Sequence, residues 1–137
     1  MSSHLSPRVQ VTFDCAEPVA LARFWAEVLG YPPPDVEGFR ERLRAAGEPE
    51  ENLDNWALIR ADDAQGPAVF FQRVPESKVV KNRVHLDVRR GTGSREQIDA
   101  EADRLVGLGA RRLREVVDGA GYFVVLADPE GNEFCVD

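Results

Sequence analysis

Cysteine is scarce. The chain carries two thiols, Cys15 and Cys135, in 137 residues, without the CxxC spacing that would signal a structural zinc site. Histidine is equally sparse, at His4 and His85. No apolar run approaches the length of a membrane span, and the opening MSSHLSPR lacks the apolar stretch of a signal peptide. The expected setting is therefore cytoplasmic, with no membrane partner and with both thiols reduced. Positive charge is short too. Lys and Arg number 17 against 24 Asp and Glu, a net charge of −7. That balance argues against a nucleic acid or an anionic membrane surface as a partner.

What is present is ordinary globular material, 43% hydrophobic and 30% charged. The length suits one domain, residues 1–137, able to bury roughly two-thirds of the surface of its unfolded form. VQVTFDC alternates, with Val11, Phe13 and Cys15 on one face and Gln10, Thr12 and Asp14 on the other, as in a half-buried strand. EPVALARFWAEVLG follows as a helix. Pro18 sits in its first turn, Gly30 at its end, and Leu21, Phe24, Trp25, Val28 and Leu29 form an apolar stripe. The three prolines after Tyr31 break it, leaving a short helix over 39–46. WALIRA and PAVFFQRV read as strands. In NRVHLDV, Val84, Leu86 and Val88 share one face of a strand and Arg83, His85 and Asp87 the other. Residues 94–109 read as a helix with Ser94 and Gln97 as its capping box. ARRLREVV, YFVVLA and NEFCVD are three more strands, joined by the turns DGAG and DPEG.

The order is strand, helix, strands, twice over, with a short extra helix and two or three following strands in the first half. Four short matches recur in the same order: FDC with LDV, VLGY with GLGA, DAQG with DPEG, and FFQRV with EFCVD. They point to a duplicated unit with modules near 8–75 and 82–137. The repeat pairs Gln10 with Arg83, Thr12 with His85, Asp14 with Asp87, and Gln72 with Cys135. Each lies on the less apolar face of its strand, the faces expected to enclose a ligand cavity.

FDCAEPVALARFWAEVLGY, FFQRVPESKVVKNRVHLDV and YFVVLADPEGNEFCV together resemble the glyoxalase/bleomycin resistance protein/dioxygenase superfamily, the vicinal oxygen chelate superfamily. Within it they most resemble the bacterial glyoxalase-like domain group. The resemblance implies an α+β fold of two βαβββ modules, forming a U-shaped mixed sheet around a cavity, and a homodimer. It also implies a divalent metal held by His, Gln or Glu at four positions. Those positions fall on Gln10, Gln72, Arg83 (or His85, if the register slides by two) and Cys135. Amide oxygens bring no charge and arginine repels a cation, so this set suits a metal poorly. The shifted set of Gln10, His85, Glu133 and Cys135 would suit zinc better.

The expected cavity residues are Gln10, Thr12, Asp14, Trp56, Gln72, Arg83, His85, Asp87, Glu133 and Cys135. His85 reads as a catalytic base or ligand, or as a histidine bonded to Asp87. Asp14 and Asp87 read as an acid/base pair or as loop caps. Cys135 reads as a nucleophile, a thiolate ligand or a small buried hydrophobe. Trp56 reads as a cavity-mouth or a core residue. The expected function is binding of a small aromatic or carbonyl-bearing molecule between the modules, with lyase, isomerase or dioxygenase chemistry as one reading. Lack of the metal-binding glutamates at 72 and 135 argues against glyoxalase I activity itself. The alternatives are a metal-free, ligand-sequestering binding protein and a regulatory, partner-binding domain.

Overall fold

The computed structural model describes residues 7–137 except 64, 91, 92 and 120. His4, and Ala64 and Ala120 of two expected turns, lie outside the described residues. The fold is α+β, in two modules with one sheet each. The first runs β1 (Gln10–Cys15), α1 (Pro18–Leu29), α2 (Val36–Ala45), β2 (Trp56–Ile59) and β3 (Ala68–Arg73). The second runs β4 (Asp87–Val88), α3 (Arg95–Gly107), β5 (Arg111–Asp118), β6 (Gly121–Ala127) and β7 (Glu133–Val136). The strand orders are β1-β3-β2 and β4-β7-β6-β5. In each sheet the module's first strand pairs in parallel with its last, and the others pair antiparallel. The first module carries two strands after its helices where the second carries three. The chain that would make the extra strand is spent on the proline turn and α2.

Local chemistry explains the helices. α1 starts with Pro18, whose missing N–H costs nothing in a first turn, and ends at Gly30 with φ of 69°. α2 begins at Val36, three residues before the expected Phe39, because the Asp35 carboxylate accepts from the Gly38 N–H at 3.0 Å. α2 buries none of its residues. Arg40, bidentate on Asp54 at 2.8 Å, and Arg44 on Glu50 tie it to the surface. α3 is capped as expected, with Ser94 Oγ accepting from the Gln97 N–H at 3.1 Å.

The expected strand over 82–88 shrinks to Asp87 and Val88. Residues 83 and 84 bend, and Val84 stands 83% exposed rather than sharing an inner face with Leu86 and Val88. The ladder with β7 opens where the Cys135 N–H donates to the Leu86 carbonyl. One turn earlier, the Glu133 carboxylate accepts from the Asn82 N–H, so a side chain takes the place of the strand partner there.

Val11, Phe13, Cys15, Val69 and Phe71 of the first sheet, with Val124, Leu126, Phe134 and Val136 of the second, face a common core with α1 and α3. Trp25 is its centre. Its ring lies 4.9 Å from Phe13 and 4.8 Å from Phe134, so one indole bridges both modules. Its Nε1–H donates to the buried Asp128 carboxylate at 2.9 Å. Asp128 also accepts from the Glu130 and Asn132 backbone N–H groups and from the Asn132 side chain. Glu130 in turn accepts from the N–H groups of Ala16 and Glu17 at the start of α1. No helix among the described residues is long and apolar enough to cross a membrane.

Candidate functional site

The repeat seen in the sequence becomes a pair of matched contacts. In the first sheet Asp14 lies opposite Gln72, and in the second Asp87 lies opposite Cys135. Both pairs sit on the side of their sheet away from the core. Gln72 Nε2 donates to Asp14 Oδ1 at 2.7 Å. Asp87 interacts with the Cys135 thiol and, at 3.2 Å, with Nδ1 of His85. Trp56 completes the first row, opposite Gln72 on β2, and borders a separate hollow against Phe39 of α2. Thr12 is exposed, opposite Phe70. Gln10 is exposed at the head of β1, opposite Ala68. Arg83 is exposed at the bend before β4.

Glu133 has other commitments. Lys78 Nζ lies 2.9 Å from its carboxylate, and both side chains are largely buried. Burial pushes the Glu133 carboxyl up, but Lys78 and the Asn82 N–H outweigh it and hold it below the usual range. The thiols move the other way. Burial, then the charge of Asp87, pushes Cys135 up to about 11, against the pull of Arg114. Burial, then Glu130, Asp128 and Asp14, pushes Cys15 up to about 12. Neither is an activated thiolate at neutral pH.

The metal positions implied by the resemblance do not converge. Gln10 and Gln72 are four residues apart in the β1–β3 register, about 13 Å along the strands at ~3.3 Å per residue. Side chains standing off the sheet do not close that gap onto one ion. The Gln72 amide is oriented by Asp14, and Arg83 brings a positive charge. In the shifted set, Glu133 is held by Lys78, while His85 and Cys135 come together with Asp87 in its place. The ligand atoms of His85, Asp87 and Cys135 all lie within 4.8 Å of one another.

Beside this cluster, where the edge strand β1 approaches the 84–86 segment, lies a cleft of about 390 Å³. Val11, Phe13 and Leu86 give it apolar lining, and Thr12, Asp14, Ser77, His85 and Glu133 polar lining. A larger hollow, about 920 Å³, lies toward α1, lined by Leu21, Phe24, Pro129 and Glu130. Asp14 alone of the expected site residues reaches it. Sequence reasoning passed over Asp128 and Glu130, which signal only a turn in DPEG, and Lys78, which sits in a polar connection without periodicity.

A family model for the glyoxalase-like domain matches residues 10–136. No curated protein matches the sequence. Among solved structures, a glyoxalase/bleomycin resistance protein/dioxygenase family enzyme from Burkholderia phytofirmans is 17% identical, with 93% of this chain and 94% of that one covered and a TM-score of 0.62. A possible glyoxalase from Bacillus cereus is 19% identical over 96% and 98%, with a TM-score of 0.62. A mutant of the fosfomycin resistance protein FosX from Listeria monocytogenes, in complex with Mn(II) and 1S,2S-dihydroxypropylphosphonic acid, is 13% identical over 99% and 90%, with a TM-score of 0.63. At these identities the likeness is one of fold.

Proposed function

The chain belongs to the glyoxalase-like domain family, and from that premise we propose that it binds a small aromatic or carbonyl-bearing molecule in the cleft between its modules. The composition of that cleft carries the reading. Val11, Phe13 and Leu86 offer apolar surface, and Thr12, Ser77 and His85 offer polar groups beside it. About 390 Å³ is within the range of small-ligand sites. Catalysis by the family's metal route is not part of the proposal, because stabilising an enediolate needs a metal and a carboxylate base in one place, and Gln10 and Gln72 are apart. The His85–Asp87 pair favours a second reading. A proton on Nδ1, directed to Asp87, leaves Nε2 to accept a proton from a bound substrate, as in lyase or isomerase chemistry.

A homodimer belongs to the same proposal. Val79 and Val80 stand 89% and 75% exposed on the segment that borders the cleft, a surface that a second copy would cover.

The test is an NMR screen of aromatic acids, aldehydes and ketones against labelled protein. Shifts centred on Thr12, Phe13 and His85, weakened in Thr12→Val, support the reading. Shifts centred on Leu21 and Phe24 would move the site to the larger hollow, and an absence of binders across the set would retire it. Loss of turnover in His85→Gln with binding retained would select the catalytic reading. Light scattering at several concentrations checks the dimer, with a monomer mass throughout counting against it.

A further inference from the structure

We propose that His85, Asp87 and Cys135 form a binding site for a thiophilic divalent cation such as zinc, lying wholly within the second module. It differs from the family's pattern in taking no ligand from the first module and in replacing the amide positions with a side-chain triad from β4, the segment just before it and β7.

Geometry comes first. Asp87 and Cys135 are direct partners in the parallel β4–β7 pair, so their side chains leave the sheet on the same side. His85 is two residues before Asp87, and its Nδ1 already lies 3.2 Å from Asp87 Oδ1. The three ligand atoms lie within 4.8 Å of one another. A tetrahedral ion with bonds of about 2.0–2.3 Å holds its ligand atoms roughly 3.3–3.8 Å apart. Closing the triad onto an ion therefore takes side-chain shifts of about 1 Å, without moving the strands.

Chemistry comes next. Thiolate, imidazole and carboxylate together carry two negative charges, matching a divalent ion, and the sulfur selects zinc, cobalt or cadmium over magnesium or calcium. In the metal-free protein, hydrogen bonds from the imidazole and the thiol to Asp87 hold the three groups together. The ion takes the place of the thiol proton, which leaves to solvent, so binding is favoured by rising pH. Arg114 is the nearby cation acting against the ion, and Asp137 a nearby carboxylate acting for it. His85 and Asp87 are exposed, which gives the ion an entry path and leaves a fourth coordination position for water or a ligand atom.

The experiment is a titration of the untagged full chain with cobalt(II), followed by competition with zinc against a chromophoric chelator. The expected result is a thiolate-to-cobalt charge-transfer band that saturates at one equivalent and is displaced by zinc. Cys135→Ser should abolish the band. His85→Ala and Asp87→Asn should each weaken zinc at least about tenfold, a loss of about 1.4 kcal/mol. Cys15→Ala, which removes the other thiol, and Gln10→Ala should leave the band and the affinity as in the parent chain. A band that survives Cys135→Ser, equal affinities in His85→Ala and the parent, or no cobalt bound at micromolar concentration would each overturn the assignment. His85→Ala and Asp87→Asn alter exposed side chains, so circular dichroism of these two variants separates lost metal from lost fold.

Discussion

Replacing Trp25 with phenylalanine tests how the two modules are joined. The indole is 1% exposed and touches an aromatic ring from each sheet. Phenylalanine keeps most of that contact but loses the N–H that reaches Asp128. A hydrogen bond to a charged acceptor is worth about 1.5–3 kcal/mol, and a buried acceptor left short of a donor retains the desolvation cost. The smaller ring forfeits about 1 kcal/mol more in buried area. The sum is about 2.5–4 kcal/mol, which for a domain of this size lowers Tm by roughly 10–16 °C. Urea unfolding, read by far-UV circular dichroism, measures it. Phe24→Leu is the comparison, because Phe24 is equally central to the core but makes no hydrogen bond through its ring, and it should cost roughly 1 kcal/mol. If Trp25→Phe costs no more than Phe24→Leu, the indole–carboxylate bond does not hold the seam and the reasoning fails.

Three other outcomes follow from local features. Cys15 and Cys135 have pKa values raised above 9.0 by the fold, so above that pH the folded chain keeps protons that the unfolded chain releases. Their contribution to stability is intact below about pH 9 and is lost as the pH rises toward 11 and 12. Stability should therefore fall more steeply with pH in the parent than in the Cys15→Ala, Cys135→Ala double variant, and equal slopes in urea titrations would count against it. Ser94→Ala removes the α3 cap and should cost about 1 kcal/mol, whereas Ser94→Asp should restore it. Gly30→Ala meets no neighbouring atom but forces a side chain into φ of 69°, a cost of about 1–2 kcal/mol in thermal unfolding.

Periodicity made much of this fold legible. The alternation of Val11, Phe13 and Cys15 is local and survives as a buried face, as does the stripe of α1. The weak internal repeat matched Asp14 with Asp87 and Gln72 with Cys135, and the structure sets Asp14 against Gln72 and Asp87 against Cys135 in matching positions, because duplicated strands inherit the same register. The failures have one cause. NRVHLDV alternates as a strand should, yet a ladder needs a partner, and at Asn82 the partner is the Glu133 carboxylate, 51 residues away. Nothing in DPEG distinguishes an Asp that closes its own turn from one that also accepts an indole N–H from the other module. Glu133 lines the cleft, but strand position does not reveal that Lys78 reaches its carboxylate. In the candidate site, the sequence supplied the residue types and their faces. Which of them meet was decided by contacts far apart along the chain.

The bonds from Glu130 to the start of α1 span 113 and 114 residues, and that from Asp128 to Trp25 spans 103. Time enters through that distance. As the chain leaves the ribosome, the first module is fully synthesised while the groups that finish its helix do not yet exist. The start of α1 waits without its carboxylate acceptor, and Trp25 waits without Phe134, until residues 130–134 are added. Such non-local closure makes folding slow for the size of the domain, and it makes Asp128, Glu130 and Phe134 decisive. A chain stopped before Asp128 holds every residue of its first sheet but lacks the parts that close the core over it.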